Sequence, residues 1–157
     1  IRGMPVASAM KVLFEKKALF VSRGDDSGTN KKELALWENA GVDMPARADW
    51  YLETGQGMLS TIRVTIERDG YTLTDRATYI KYAHDRGGEP ELKIMVQGEP
   101  ILFNQYSIIA VNPEKCETVQ YDSARRFTKW MTSEKIQEFI GSFKLLGQQL
   151  FTPNAAE

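Results

Sequence analysis

The sequence predicts an α/β fold with a mostly parallel sheet, and three features carry that expectation. Ala18-Leu19-Phe20-Val21 is a short, wholly apolar run, the pattern of a strand covered on both faces. Segments with helical apolar spacing alternate with such runs along the chain, the order that gives parallel sheets flanked by helices. Glycine-bearing turns separate the two kinds of segment. At 157 residues, 42% of them hydrophobic, the chain is long enough for one compact unit or two small lobes, each with a core.

The elements follow in order. Pro5 opens a helix in which Val6, Ala9, Met10, Leu13 and Phe14 recur on one face, with Lys16 and Lys17 at the end where cations are favoured. After the first strand and a polar turn over 22–28, a second helix runs from Thr29 to about Ala40, with Leu34, Trp37 and Ala40 expected inward and Gly41 as its stop. Met58, Leu59, Ile62 and Ile66 give a third helix ended by Gly70, and residues 71–74 read as a strand. Asp75 caps a fourth helix reaching His84. Leu92, Ile94 and Val96 alternate as a strand does, and residues 101–103 and 106–111 read as further strands. Two last helices are expected, one capped by Asp122 with Ala124, Phe127 and Met131 inward. The other is capped by Ser133, with Ile136, Phe139, Ile140 and Phe143 inward.

Charge and composition exclude several function classes. Lys plus Arg is 20 against 21 for Asp plus Glu, so no overall field draws in nucleic acid. No apolar stretch approaches the roughly 18 residues of a membrane helix. The single Cys116 permits no internal disulfide, and with His84 the only histidine, Cys- and His-based metal sites lack partners. No sequence-near base activates Cys116, so neither a cofactor nor a nucleophilic centre is expected.

The segment with the most chemistry is Ser22-Arg23-Gly24-Asp25-Asp26-Ser27-Gly28-Thr29, which joins the carboxyl end of a strand to the start of a helix. That edge is where open α/β sheets place ligands, and a helix start offers unpaired N–H groups and partial positive charge to an anion. Gly28 permits close approach, Ser22, Ser27 and Thr29 add hydroxyl donors, and Arg23 adds a fixed cation. Lys31 and Lys32 stand in first turns where cations are disfavoured, which a bound anion would offset. The plainer reading stays open beside this one: Ser27 merely caps the helix, the lysines face water, and Arg23 pairs with Asp25 or Asp26. Counting from either Asp places Asn30 or Lys31 where a calcium loop needs Gly. Thr54-Gly55-Gln56-Gly57-Met58 is a second glycine-bearing approach to a helix, either an anion cradle at Gly55 and Gly57 or a plain turn. Position 60 is Ser, so it is not a dinucleotide fingerprint.

These residues also carry a resemblance. The eight-residue string at 22–29, then Trp50-Tyr51-Leu52-Glu53-Thr54-Gly55-Gln56-Gly57-Met58, Tyr71-Thr72-Leu73-Thr74-Asp75-Arg76 and Ile109-Ala110-Val111-Asn112-Pro113-Glu114-Lys115 resemble the periplasmic tungstate-binding proteins of bacterial ABC importers. The Arg-x-x-x-Ser-Gly-Thr spacing is also similar to that of periplasmic phosphate-binding proteins, so it speaks for a tetrahedral oxyanion. The resemblance implies a type II periplasmic-binding-protein clamshell of two lobes that captures tungstate or molybdate for a membrane permease, with no catalysis. Phosphate or another oxyanion, and an oxyanion-sensing regulatory domain, are the alternatives. It assigns ligand contact to Arg23, Ser27, Gly28 and Thr29. Family members also carry a Thr-Thr-Thr-Ser loop, which has no counterpart here, and the chain starts at Ile1 with no leader pattern. Residues 1–100 are therefore expected to form lobe two and residues 101–157 the returning part of an incomplete lobe one. An apolar face bearing Phe127, Trp130, Met131, Phe139 and Phe143 would then be exposed and favour self-association.

Overall fold

The computed structural model describes residues 1–43 and 48–155, so the last two positions of the segment 101–157 lie outside it. The chain forms two compact units, Ile1–Phe103 and Asn104–Glu157.

In the first unit, α1 (Val6–Lys16) leads to β1 (Phe20–Ser22), α2 (Gly28–Asn39), β2 (Tyr51–Glu53), α3 (Met58–Glu67), α4 (Arg76–Asp85) and a 3₁₀ turn at Pro100–Leu102. β1 and β2 are parallel, with Phe20, Val21 and Ser22 opposite Tyr51, Leu52 and Glu53. Tyr71 makes a further parallel bridge to Phe20 on the other side. All three residues of β1 are buried, as its apolar run predicts. The principal core joins Val6, Met10 and Leu13 of α1 to Phe20, Leu36 and Trp37. Edge-to-face aromatic pairs link Phe20 to Trp37, Trp37 to Trp50 and Phe14 to Trp50. A second cluster gathers Met58, Ile62 and Tyr82.

Several expectations need correction. The strand expected over 71–74 contracts to the single bridge at Tyr71, and residues 92–96 form no strand although Met95 accepts a hydrogen bond from Gly3. Residues 101–103 enter a 3₁₀ turn that Pro100 starts, because proline cannot donate to a sheet ladder. The inner face of α2 consists of Asn30, Glu33, Leu36 and Trp37, whereas Leu34 is 47% exposed. On α3 the inward positions are Met58, Thr61, Ile62 and Thr65, and Leu59 points outward. In both helices polar residues occupy buried positions, which shifts the face away from the one that apolar spacing alone selects.

The second unit holds α5 (Tyr121–Met131), α6 (Glu134–Ser142) and the hairpin strands β3 (Lys144–Leu145) and β4 (Gln148–Gln149). Residues 106–111 lie in no strand, and Ile109 is 84% exposed. α5 starts one residue before Asp122, which sits in its first turn where a carboxylate suits the helix dipole. Ser133 is the N-cap position of α6, yet its hydroxyl donates back to the Trp130 carbonyl. Neither helix buries a residue, so Phe127, Phe139 and Phe143, expected inward, are at least 46% exposed. The hairpin is antiparallel, so the sheets are not uniformly parallel. Its two loop residues, Leu146 and Gly147, both have positive φ, the backbone of the tight turn that matches strand twist.

Candidate functional site

β1 and β2 run parallel, and each passes directly into a helix. The starts of α2 and α3 therefore lie at one edge of the pair, the carboxyl edge. The Tyr71 bridge brings a third chain segment into the same register, and α4 follows it. Thr54 ties the neighbouring loops together: its N–H donates to the Ser22 carbonyl at 3.0 Å, and its Oγ1 is shared between the carbonyls of Ser22 and Arg23, each at 3.3 Å. Thr72 Oγ1 donates to the Val21 carbonyl at 2.7 Å.

The three helix starts differ in what their amides can do. At α4 the carboxylate of Asp75 accepts from Thr78 N–H and Thr78 Oγ1, so that end carries its own anion. At α2 the Ser27 hydroxyl accepts only from Asn30 N–H, and Lys31 N–H bonds the Ser27 carbonyl. The amides of Gly28 and Thr29 have no protein acceptor among the described residues, Gly28 is exposed, and its surroundings are open where a side chain would stand. At α3 the cap is Gly57, which supplies no side-chain acceptor. Gly55 takes a left-handed backbone, φ 63°, that other residues rarely adopt, and turns the chain into that helix.

Arg23 and Asp25 form an ion pair within the β1–α2 loop, Nη2 to Oδ2 at 2.5 Å, with both side chains about one-fifth exposed. Asp25 Oδ1 accepts from Ser27 N–H at 3.3 Å. The Ser27 hydroxyl and then the Arg23 guanidinium hold the Asp25 carboxyl below its ordinary range. Arg23 Nε is buried and has no partner among the described residues. Asp26 turns outward with φ 56° and pairs with Lys31 at 3.3 Å, its side chain 86% exposed. Gly24 has φ 58°, and a Cβ there would stand 2.7 Å from the Cβ of Glu53, so the loop requires glycine twice over.

The structure thus brings Arg23, Ser27, Gly28 and Thr29 into one loop, with Gly55 and Gly57 on the neighbouring strand-to-helix turn. Ser22 differs from the rest. It is 1% exposed, and its hydroxyl donates to Glu33 while accepting from Gly24 N–H and Asn30 Nδ2, which uses its full hydrogen-bonding capacity. Lys32 also works internally: its ammonium donates to the carbonyls of Ile101 and Phe103. Glu33, beneath the loop, is the residue that sequence reasoning missed. Its spacing from Asn30 and Trp37, three residues before it and four after it on the helix, marks a buried face with polar members.

The chain is 44% identical over 154 residues to the tungstate-binding protein TupA of Campylobacter jejuni, covering 98% of this chain and 57% of that protein. It is 43% identical over 154 residues to the tungstate-binding protein TupA of Peptoclostridium acidaminophilum, covering 97% of this chain and 52% of that one. The chain therefore spans little more than half the length of these curated relatives. The solved structure of the tungstate-binding protein TupA from Desulfovibrio alaskensis superposes with a TM-score of 0.92 at 52% identity, covering 99% of this chain and 62% of that one. No helix among the described residues is long and apolar enough to cross a membrane. Residues 11–135 match the PBP superfamily domain, and the chain belongs to that family.

Proposed function

We propose that the chain is the oxyanion-binding part of the solute-binding component of an ABC importer. It captures tungstate in the periplasm, with molybdate as the chemically nearest alternative, and passes it to an inner-membrane permease. No cofactor or covalent step is needed. The observation that carries this reading is the cluster of donors in the β1–α2 loop. The amides of Gly28 and Thr29 are open, while both oxygens of Asp25 are engaged by Arg23 and Ser27.

Tungstate at neutral pH is a dianion without a proton, so a site of donors suits it completely. Monohydrogen phosphate carries a proton and requires an acceptor; Asp25 is engaged by Arg23 and Ser27, and Asp26 is turned outward onto Lys31. The names of the C. jejuni and D. alaskensis relatives support the same ligand. In this reading Arg23 supplies charge, Ser27 and Thr29 their hydroxyls, and Gly28 an amide, with Gly55 and Gly57 opening the second helix start. Residues 1–100 act as the ligand-binding lobe two, and residues 101–157 as the segment that returns to lobe one.

Calorimetric titration with tungstate, molybdate, sulfate and phosphate at equal concentration tests the proposal. Tungstate and molybdate are expected to bind tightest. Tightest binding of phosphate would replace this reading with a phosphate-binding one, and response to none of the four would remove the oxyanion site.

A further inference from the structure

Beneath the loop lies a buried carboxylate with no basic side chain among its hydrogen-bond partners. Glu33 is 2% exposed. Its Oε1 accepts from Trp37 Nε1 at 2.9 Å and from Tyr51 Oη at 2.7 Å, and its Oε2 accepts from Ser22 Oγ at 2.5 Å. Burial first, and Glu33 beside it, push the Tyr51 phenol well above its ordinary range, so that hydroxyl remains a donor. One side chain thus joins β1 through Ser22, β2 through Tyr51 and its own helix through Trp37.

The proton inventory gives these bonds a direction. A serine hydroxyl has one hydrogen and two lone pairs. Both lone pairs of Ser22 Oγ are taken, by Gly24 N–H and Asn30 Nδ2, each at 3.2 Å. Its hydrogen therefore goes to Glu33 Oε2. Asn30 in turn accepts from Asp26 N–H at 3.1 Å through Oδ1, which orients its amide. The chain of bonds runs from the loop backbone through Asn30 and Ser22 to Glu33.

We propose that Glu33 is the positioning residue of the β1–α2 loop. Its carboxylate sets the direction of the Ser22 hydroxyl, and Ser22 then holds the backbone of Gly24 and the side chain of Asn30, fixing the loop that carries Arg23 and the open amides of Gly28 and Thr29. The structural part stands on the hydrogen bonds alone; its consequence for ligand affinity rests on the oxyanion reading above.

The inventory predicts that the near-isosteric E33Q is a poor substitute. With the glutamine Nε2 toward Ser22, a third donor meets an oxygen whose lone pairs are full. With the amide turned over, Nε2 meets the donor-only indole of Trp37. The double variant N30D/E33Q repairs the first case. The introduced glutamine then donates to Ser22 Oγ, and the Ser22 hydroxyl donates to the introduced aspartate. That aspartate still accepts from Asp26 N–H, so the polarity of the chain reverses, and the one amide N–H left over belongs to the introduced glutamine instead of to Asn30.

Thermal unfolding and amide NMR of wild type, E33Q, N30D and N30D/E33Q test this. E33Q and N30D should each lower the unfolding midpoint by roughly 3 to 10 °C, as expected for one unmatched buried polar group in a chain of this size. The double variant should recover most of that loss. The Gly24 amide resonance should move in E33Q and return in the double variant, a response that general loosening would not give. Tungstate titration should show about a tenfold loss of affinity in E33Q. A wild-type midpoint with an unmoved Gly24 resonance in E33Q would overturn the proposal, as would a double variant no better than either single one. If wild type binds none of the oxyanions, the functional reading fails, while the Gly24 resonance and the rescue still decide the role of Glu33.

Discussion

In the proposed site Arg23 is the residue that supplies positive charge, and its environment bears on that role. Asp25 takes one of its terminal nitrogens, which fixes the guanidinium and leaves donors over, since the fork carries five N–H groups. Arg23→Ala should weaken oxyanion binding by about 2 to 5 kcal/mol, the usual cost of removing one member of a charge-assisted pair; an unchanged Kd would take Arg23 out of the site. Asp25 has a pH signature of its own. Its carboxyl is held low, so its contribution is complete above the ordinary carboxylate range and is lost as pH falls through the lowered value. The difference in unfolding midpoint between wild type and Asp25→Asn should stay constant from neutral pH down to that range and shrink from there toward the lowered value. A difference that shrinks nearer neutrality would contradict the assigned cause. At this scale the donor set is legible in the sequence, because Arg23, Ser27, Gly28 and Thr29 all fall within the one segment 22–29. Glu33 was not legible, because Trp37 alone of its partners is a neighbour on the same helix, while Ser22 and Tyr51 meet it only through the fold.

Among elements, helices were legible and most strands were not. Caps are local: Asp75 lies three residues before the Thr78 amide it accepts from, and Ser27 three before Asn30, so the starts of α4 and α2 can be read directly. Strands require a partner distant in sequence. Residues 92–96 and 106–111 have the right alternation or apolarity, but no ladder forms on them among the described residues. The hairpin turn at Leu146 and Gly147 was missed because a leucine at positive φ gives no sequence signal. Asp75→Ala should cost about 1 kcal/mol or somewhat more, since it removes the acceptor of both Thr78 groups. Urea titration measures this, and an unaltered midpoint would mean that solvent replaces the cap.

For the whole molecule, the two units contrast in burial. The first has continuous apolar clusters, whereas α5 and α6 of the second bury nothing and expose Phe127, Trp130 and Phe139 by half or more. Phe127 and Trp130 stack on each other with centroids 5.7 Å apart, a ready apolar patch. The chain should therefore associate as its concentration rises in sedimentation velocity, and Phe127→Glu with Trp130→Glu should restore a single slow species; a monomer at all concentrations would oppose this. The central claim is narrower. The carboxyl edge of two parallel strands presents unpaired amides and a fixed cation to a proton-free tetrahedral dianion. Amide NMR during addition of tungstate tests it most directly. The account predicts that the Gly28 and Thr29 resonances move downfield and saturate with tungstate, and respond far less to phosphate at the same concentration. Resonances that stay in place while tungstate shifts amides elsewhere in the chain would contradict it.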